Sequence, residues 1–265
     1  MRVHLLQMDL VWEDKAANHA GARSMLESAE ASAGDLVVLP EMFDTGFSFK
    51  VERTADTGGE TLGFLVDLAE EFGVWVHGGR TVLSADGEHG LNRCEVVGPS
   101  GAVACSYDKI HPFSYGRESE RFVGGGRVVT YGWGAGEVGL RVCPAICYDL
   151  RFPELFRRGL DLGAEAFAVG ANWPAARAAH WRALSIARAI ENQAFVFAVN
   201  RVGSDPSLSF RGGSVVVGPK GDVLGELGEG AGVLSVEVDP RAVRDWRSEF
   251  PAWRDRSSAL REGAG

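Results

Sequence analysis

No apolar run in the 265-residue chain approaches the roughly 18 residues that a membrane-spanning helix needs. The six histidines (His4, His19, His77, His89, His111 and His180) are dispersed, with no H-x-H and no H-E-x-x-H. The four cysteines (Cys94, Cys105, Cys143 and Cys147) contain no C-x-x-C pair. Zinc sites and disulfide frameworks are built from such spacings, so neither a metal nor a cysteine scaffold is expected. Cys143 and Cys147 share the strand-like run RVCPAICYD, where four residues of extended chain span about 13 Å, too far for a disulfide. Positive charge is also short: 27 Lys and Arg against 36 Asp and Glu leave a net charge of −9. The basic residues are scattered, which argues against a nucleic-acid surface. Internal repeats, low-complexity segments and linkers are missing too. The opening MRVHLLQMDLVW reads as a short apolar strand without a signal-peptide cleavage pattern. Together these absences lead us to expect a cytoplasmic protein without a cofactor, free of nucleic acid and membrane. It should form one domain over 1–265, with a packed or partly mobile tail at about 240–265.

What is present is a soluble, core-forming composition, 45% hydrophobic and 24% charged. Strand-like and helix-like runs alternate. VHLLQMDL precedes a helical stretch at about 15–33 and the buried-strand run LVVLP at 36–40. A helix at about 61–72 leads into VWVHGGRTVL, and RCEVVG and VACSYD pair as a hairpin around 99–101. Then come a strand at 139–147, a helix at 152–162, the strand EAFAVGA, a long Ala-rich helix at 175–193 and the strand AFVFAVN. SVVVG, DVLGEL and GVLSVEV close the chain as a meander. Helical alternation combined with meanders predicts an α/β sandwich with antiparallel pairs rather than a pure doubly wound sheet.

One motif misleads. Gly134 to Gly139 match G-x-G-x-x-G, but a dinucleotide loop opens a helix after a strand. Here the glycines precede the strand LRVCPAIC and read as a hairpin turn.

Three segments carry potential chemistry: Leu39-Pro40-Glu41, Tyr107-Asp108-Lys109-Ile110-His111, and Ile146-Cys147-Tyr148-Asp149-Leu150-Arg151. Each alone has an ordinary reading as a solvated glutamate, a snorkelling lysine or a small buried cysteine. All three, however, sit at the ends of apolar strands, where sites assemble in α/β sheets. A thiol with a pKa near 8.5 needs a base or a positive neighbour to attack at neutral pH. Glu41 can supply the base and Lys109 the charge, and Cys147, at a strand-to-helix turn, could draw further on the positive end of the next helix.

In this order and these contexts, Glu41, Lys109 and Cys147 resemble the Glu-Lys-Cys triad of the nitrilase superfamily of carbon–nitrogen hydrolases. The strings CYDLRFPE, ANWPAAR, HWRALSIARAIENQAFV, NRVGSD and FPAW place the resemblance nearest the bacterial omega-amidase branch and extend it over nearly the whole chain. It implies an α-β-β-α sandwich, four layers in one domain, paired into homodimers or larger assemblies. It also implies hydrolysis of the terminal amide of a 2-oxo acid, with nitriles, carbamoyl amines and other amides open to the same triad. A non-catalytic interaction protein on this fold is the remote alternative. The family's second glutamate falls on Glu118, with Glu120 two residues away. The backbone N–H of Tyr148 would join Lys109 in holding the oxyanion. Arg151 would grip the substrate carboxylate, or else form a surface salt bridge to Glu154 or Asp149. Trp173 would wall the pocket or belong to the core, and His180 reads as a packed helix residue.

Overall fold

The structure, a computed structural model, describes residues 1–134 and 136–257. Its strands are β1 (Arg2–Gln7), β2 (Leu36–Val38), β3 (Trp75–Leu83), β4 (Gly90–Val97), β5 (Val103–Asp108), β6 (Tyr131–Trp133) and β7 (Leu140–Ile146). They continue with β8 (Ala166–Ala171), β9 (Phe195–Asn200), β10 (Val202–Ser204), β11 (Ser209–Arg211), β12 (Val215–Val217), β13 (Val223–Glu226) and β14 (Gly232–Glu237). The α-helices are α1 (Lys15–Ser28), α2 (Val51–Thr54), α3 (Glu60–Phe72), α4 (Pro153–Asp161), α5 (Ala178–Asn192) and α6 (Arg241–Glu249).

Two six-stranded mixed sheets, ordered β14-β1-β2-β3-β4-β5 and β13-β12-β9-β8-β7-β6, lie face to face. Helices α1 and α3 cover the outer side of the first sheet, and α4 and α5 cover that of the second. This is the expected four-layer α-β-β-α sandwich in a single domain. Strands β2, β8 and β9 are buried at every position. Their near-continuous Val, Ala, Leu and Phe runs are what a parallel strand covered on both faces requires. Val3, Leu5 and Val38 of one sheet share a core cluster with Val142, Phe167 and Phe197 of the other. Helix α3 turns Thr61, Leu65, Leu68 and Ala69 inward, one stripe at helical spacing, and left-handed glycines bound it at both ends, Gly59 and Gly73.

Several expectations shift. Asp14 caps α1 by accepting from the Ala17 backbone N–H, and the helix ends at Ser28, not Ala33. The long Ala-rich helix begins at Ala178, because Ala175–Arg177 forms a separate 3-10 turn. The closing strands are not one meander. β12 and β13 are a hairpin of the second sheet, but β14 crosses over and pairs antiparallel with β1 of the first. In the tail, α6 packs through Arg247, which donates to the carbonyls of Ala164, Asn192 and Gln193. Residues 258–265 of the expected tail lie outside the described residues. The glycines at 134–139 do connect an antiparallel pair, β6 and β7. No described helix is long and apolar enough to cross a membrane.

Two glycines let the chain after β2 run between the sheets. A Cβ on Gly79 of β3 would come 2.7 Å from the Met42 backbone nitrogen. A Cβ on Gly170 of β8 would come 2.7 Å from the Leu39 carbonyl oxygen. The segment carrying Glu41 is therefore clamped by backbone on both sides. Gly170→Ala should lower stability by about 1–3 kcal/mol, the usual cost of overpacking a core, and should displace Glu41. Urea denaturation checks this, and an unchanged midpoint would show that the segment yields freely.

Candidate active site

Four strand ends converge. Glu41 follows β2, Lys109 follows β5, Cys147 follows β7 and Asn172 follows β8. Because β4 is antiparallel to both β3 and β5, strand β5 runs in the same direction as β2 and β3. Glu41 and Lys109 thus emerge on one edge of the first sheet. β7 and β8 are parallel and bring Cys147 and Asn172 out together on the second.

The side chains form one buried network. Lys109 Nζ donates to Glu41 Oε1 at 2.7 Å and to Glu118 Oε2 at 2.8 Å. Asn92, on β4, bridges the two carboxylates, its Nδ2 donating to Glu41 Oε1 at 2.7 Å and Glu118 Oε1 at 3.0 Å. The backbone N–H of Asn172 donates to the other Glu41 oxygen at 2.9 Å, and its side chain donates to the Glu41 carbonyl at 2.6 Å. The Phe113 backbone N–H holds Glu118. The Cys147 thiol lies near enough to Glu41 and Lys109 to feel both charges. Both carboxylates are thus fixed by several donors, as a positioned base requires.

Backbone strain marks the same place. Cys147 has φ +45° and Met42, next to Glu41, has φ +42°. These are left-handed values that residues with a Cβ seldom adopt, and such outliers gather at functional sites. Cys147 opens a five-residue 3-10 turn, Cys147–Arg151, and α4 starts only at Pro153. The expected support of the thiol by a helix end is therefore weak: the field falls off within a turn, and the α-helix begins beyond the cysteine.

Burial works against the charged ammonium of Lys109, yet Glu118 and Glu41 overcome it and hold the lysine above its ordinary range. Burial pushes Glu118 up, helped by Glu41 and opposed by Lys109. Burial likewise pushes the Cys147 thiol well above the usual range, and Glu41 adds to this while Lys109 pulls it down. Lys109 does favour the thiolate, as expected, against burial and the carboxylates. A thiol held up in this way calls for a base to take its proton as the sulfur attacks.

Cys147 opens onto a pocket with about 370 Å³ of empty space, mouth included. Phe47, Phe113, Tyr148, Trp173, Pro174 and Leu208 wall it, with Asn172, Arg151 and Arg177 as polar members. Arg151 lies 4.8 Å over the Trp173 ring and 5.9 Å over Tyr148, and meets His180 Nδ1 at 3.3 Å. Neither Glu154 nor Asp149 pairs with it. The Asp149 oxygens are taken by Tyr107 Oη, His111 and the Ile146 N–H, so the surface-salt-bridge alternative falls. Trp173 is both core and pocket wall. His180 is exposed, not packed. Of the two candidate glutamates, Glu118 is fully buried on Lys109, whereas Glu120 pairs with Arg117 at the surface. Sequence reading missed Asn92, which stands beside Arg93 in the strand GLNRCEVV and carries no signal of its own. It also passed over Asn172 and Arg177, which lie inside the string ANWPAAR.

The carbon-nitrogen hydrolase family model matches residues 2–248. The chain is 35% identical over 257 residues to the omega-amidase YafV of Escherichia coli K12, covering 96% of each chain. It is 32% identical over 256 residues to the 2-oxoglutaramate amidase of Bacillus subtilis, again with 96% of each covered. Among solved structures, XC1258 from Xanthomonas campestris, a CN-hydrolase superfamily protein with an arsenic adduct in its active site, superimposes with TM-score 0.89. That match has 33% identity and covers 97% of both chains.

Proposed function

The chain belongs to the carbon–nitrogen hydrolase family of the nitrilase superfamily and is an amidohydrolase; from that premise we propose that it cleaves the terminal amide of a 2-oxo acid through a Cys147 thioester. The observation that carries the reading is the Cys147 thiol, set beside the buried Lys109–Glu41 pair and opening onto an aromatic pocket that holds Arg151.

In the proposed sequence, Cys147 Sγ attacks the amide carbonyl carbon as Glu41 takes the thiol proton. The oxyanion is held by the Lys109 ammonium and the Tyr148 backbone N–H, each such donor typically contributing about 3–4 kcal/mol. Glu41 then passes its proton to the departing nitrogen, the C–N bond breaks, and ammonia leaves behind a thioester. Water loses a proton to Glu41 and adds to the thioester carbonyl. The C–S bond breaks, and Glu41 returns the proton to the thiolate. Glu118 accepts from Lys109, and Asn92 donates to Glu41 and Glu118, so they act as positioning residues. Keeping Lys109 charged is what lets a buried amine stabilise an anion.

The name of the Bacillus subtilis relative, 2-oxoglutaramate amidase, supports the 2-oxo acid class, and Arg151 gives it a physical basis. A planar guanidinium held over the Trp173 ring in the pocket wall suits a carboxylate. A charge-assisted contact of about 1.5–3 kcal/mol corresponds to roughly 10- to 150-fold in kcat/KM. Arg151→Ala should therefore lower the ratio of kcat/KM for 2-oxoglutaramate over that for a carboxylate-free amide by that factor. Arg151→Lys, which keeps the charge without the fork, should recover part of it. Ammonia release across 2-oxoglutaramate, 2-oxosuccinamate, neutral amides, nitriles and carbamoyl amines tests the function itself. Preference for a nitrile or carbamoyl amine would reassign the substrate. Homodimeric or larger assembly and a cytoplasmic setting belong to the same proposal, resting on the family resemblance.

A further inference from the structure

The pocket at Cys147 has two arginines and no carboxylate in its wall. Arg80, Arg93 and Arg182 each sit on an acidic partner elsewhere. Among the described residues, neither Arg151 nor Arg177 has an ion pair; both face aromatic rings instead. Two like charges turned toward one small, ring-walled space repel unless an anion occupies it.

We propose that Arg177 is a second carboxylate-binding residue, joining Arg151 in a two-arginine clamp on the acid end of the substrate. This rests on reading the pocket as one for an anionic amide. The two reach it from different elements, Arg151 from the turn after Cys147 and Arg177 from the turn Ala175–Arg177 before α5. Arg177 is held by its own backbone, whose carbonyl accepts from Trp173 Nε1 at 2.8 Å. Its guanidinium lies 5.4 Å from the Phe113 ring centre and 6.0 Å from that of Tyr115. A guanidinium held near ring faces and without an ion pair keeps N–H groups with which it can donate to a carboxylate in the pocket. Phe113 in turn meets Tyr148, with ring centres 4.9 Å apart, and Tyr148 lies under Arg151. One aromatic frame therefore carries both forks, and a carboxylate there offers two oxygens with enough lone pairs for both.

The test separates charge from packing, since Arg177→Met keeps the stem on the rings and Arg177→Lys keeps the charge. In full-length protein carrying Cys147→Ala, succinate binding is measured by titration calorimetry, first with Arg177 in place and then with each of those two substitutions. Arg177→Met should weaken succinate at least tenfold and Arg177→Lys by less. In protein retaining Cys147, the kcat/KM ratio of a carboxylate-bearing amide to a neutral one should fall at least tenfold on Arg177→Met. A ratio unchanged because both substrates suffer equally would make Arg177 a support for the Phe113 loop and overturn the clamp. Succinate binding that ignores Arg177, or is missing with both arginines present, would overturn it as well. If 2-oxo acid amides are not hydrolysed but succinate binding still depends on Arg177, the substrate reading fails and the clamp stands.

Discussion

Cys147→Ala is expected to abolish amide hydrolysis, a loss of roughly 10⁴-fold or more as when other covalent nucleophiles are removed, while the protein stays folded. The expectation of an intact fold comes from the site itself. The thiol touches the pocket as well as Glu41, so truncation opens space toward an existing cavity and leaves no charge unpaired. Glu41 keeps its bonds from Lys109, Asn92 and the Asn172 N–H. Cys143 is the control. It is buried within β7, hydrogen-bonds the neighbouring Pro144 carbonyl and faces Gly159 and Phe167 rather than the pocket. Cys143→Ala should change the rate by no more than a few-fold. Single-turnover ammonia release on both variants, with circular dichroism to verify folding, checks the pair. Turnover by well-folded Cys147→Ala protein would dismiss the thioester route.

The legibility of this site in the sequence followed burial and strand direction. Glu41, Lys109 and Cys147 could be read because each lies at the end of a strand-like run, which is local information, and because their contexts resemble the nitrilase-superfamily triad. The network that makes them work is not local. Asn92 reaches Glu41 across 51 positions of chain, and Asn172 reaches it across 131. Nothing in either residue's neighbourhood specifies which carboxylate it will meet. The choice between Glu118 and Glu120 turned on a single backbone turn, which sends one inward to Lys109 and the next-but-one outward to Arg117. The sandwich itself was readable from alternating patterns, but the departure of β14 to the other sheet was not. Its residues alternate as any half-buried strand does, and its partner β1 is at the far end of the chain. The start of α5 was misplaced for a related reason, since Ala175 to Arg177 have helix-forming side chains but are bent into a 3-10 turn anchored on Pro174 and Trp173.

Removing the lysine should damage both function and stability. Lys109→Met leaves Glu41 and Glu118 buried together, bridged only by the neutral Asn92 amide. Breaking a buried ion pair from one side typically costs about 3–5 kcal/mol, because the abandoned charge has no solvent. The variant should relieve this by holding a proton on one carboxylate. The direction is already visible in the intact protein, where burial and Glu41 push Glu118 up even against the pull of Lys109. A carboxylate whose folded pKa exceeds its unfolded value contributes stability that is present below the unfolded value and lost as pH rises through the folded one. The stability gap between the wild type and Lys109→Met should therefore be small near pH 4.5 and widen toward pH 8. Adding Glu118→Gln to the lysine variant removes the surplus carboxylate and should regain part of the stability at pH 8. Hydrolysis should not return, because the cation proposed to hold the oxyanion is still missing. Urea midpoints for the three proteins at both pH values, with ammonia release at pH 8, decide the matter. Equal midpoints at both pH values would mean that the two glutamates do not depend on Lys109 for their charge, and a doubly substituted protein that regained activity would remove the lysine from the mechanism.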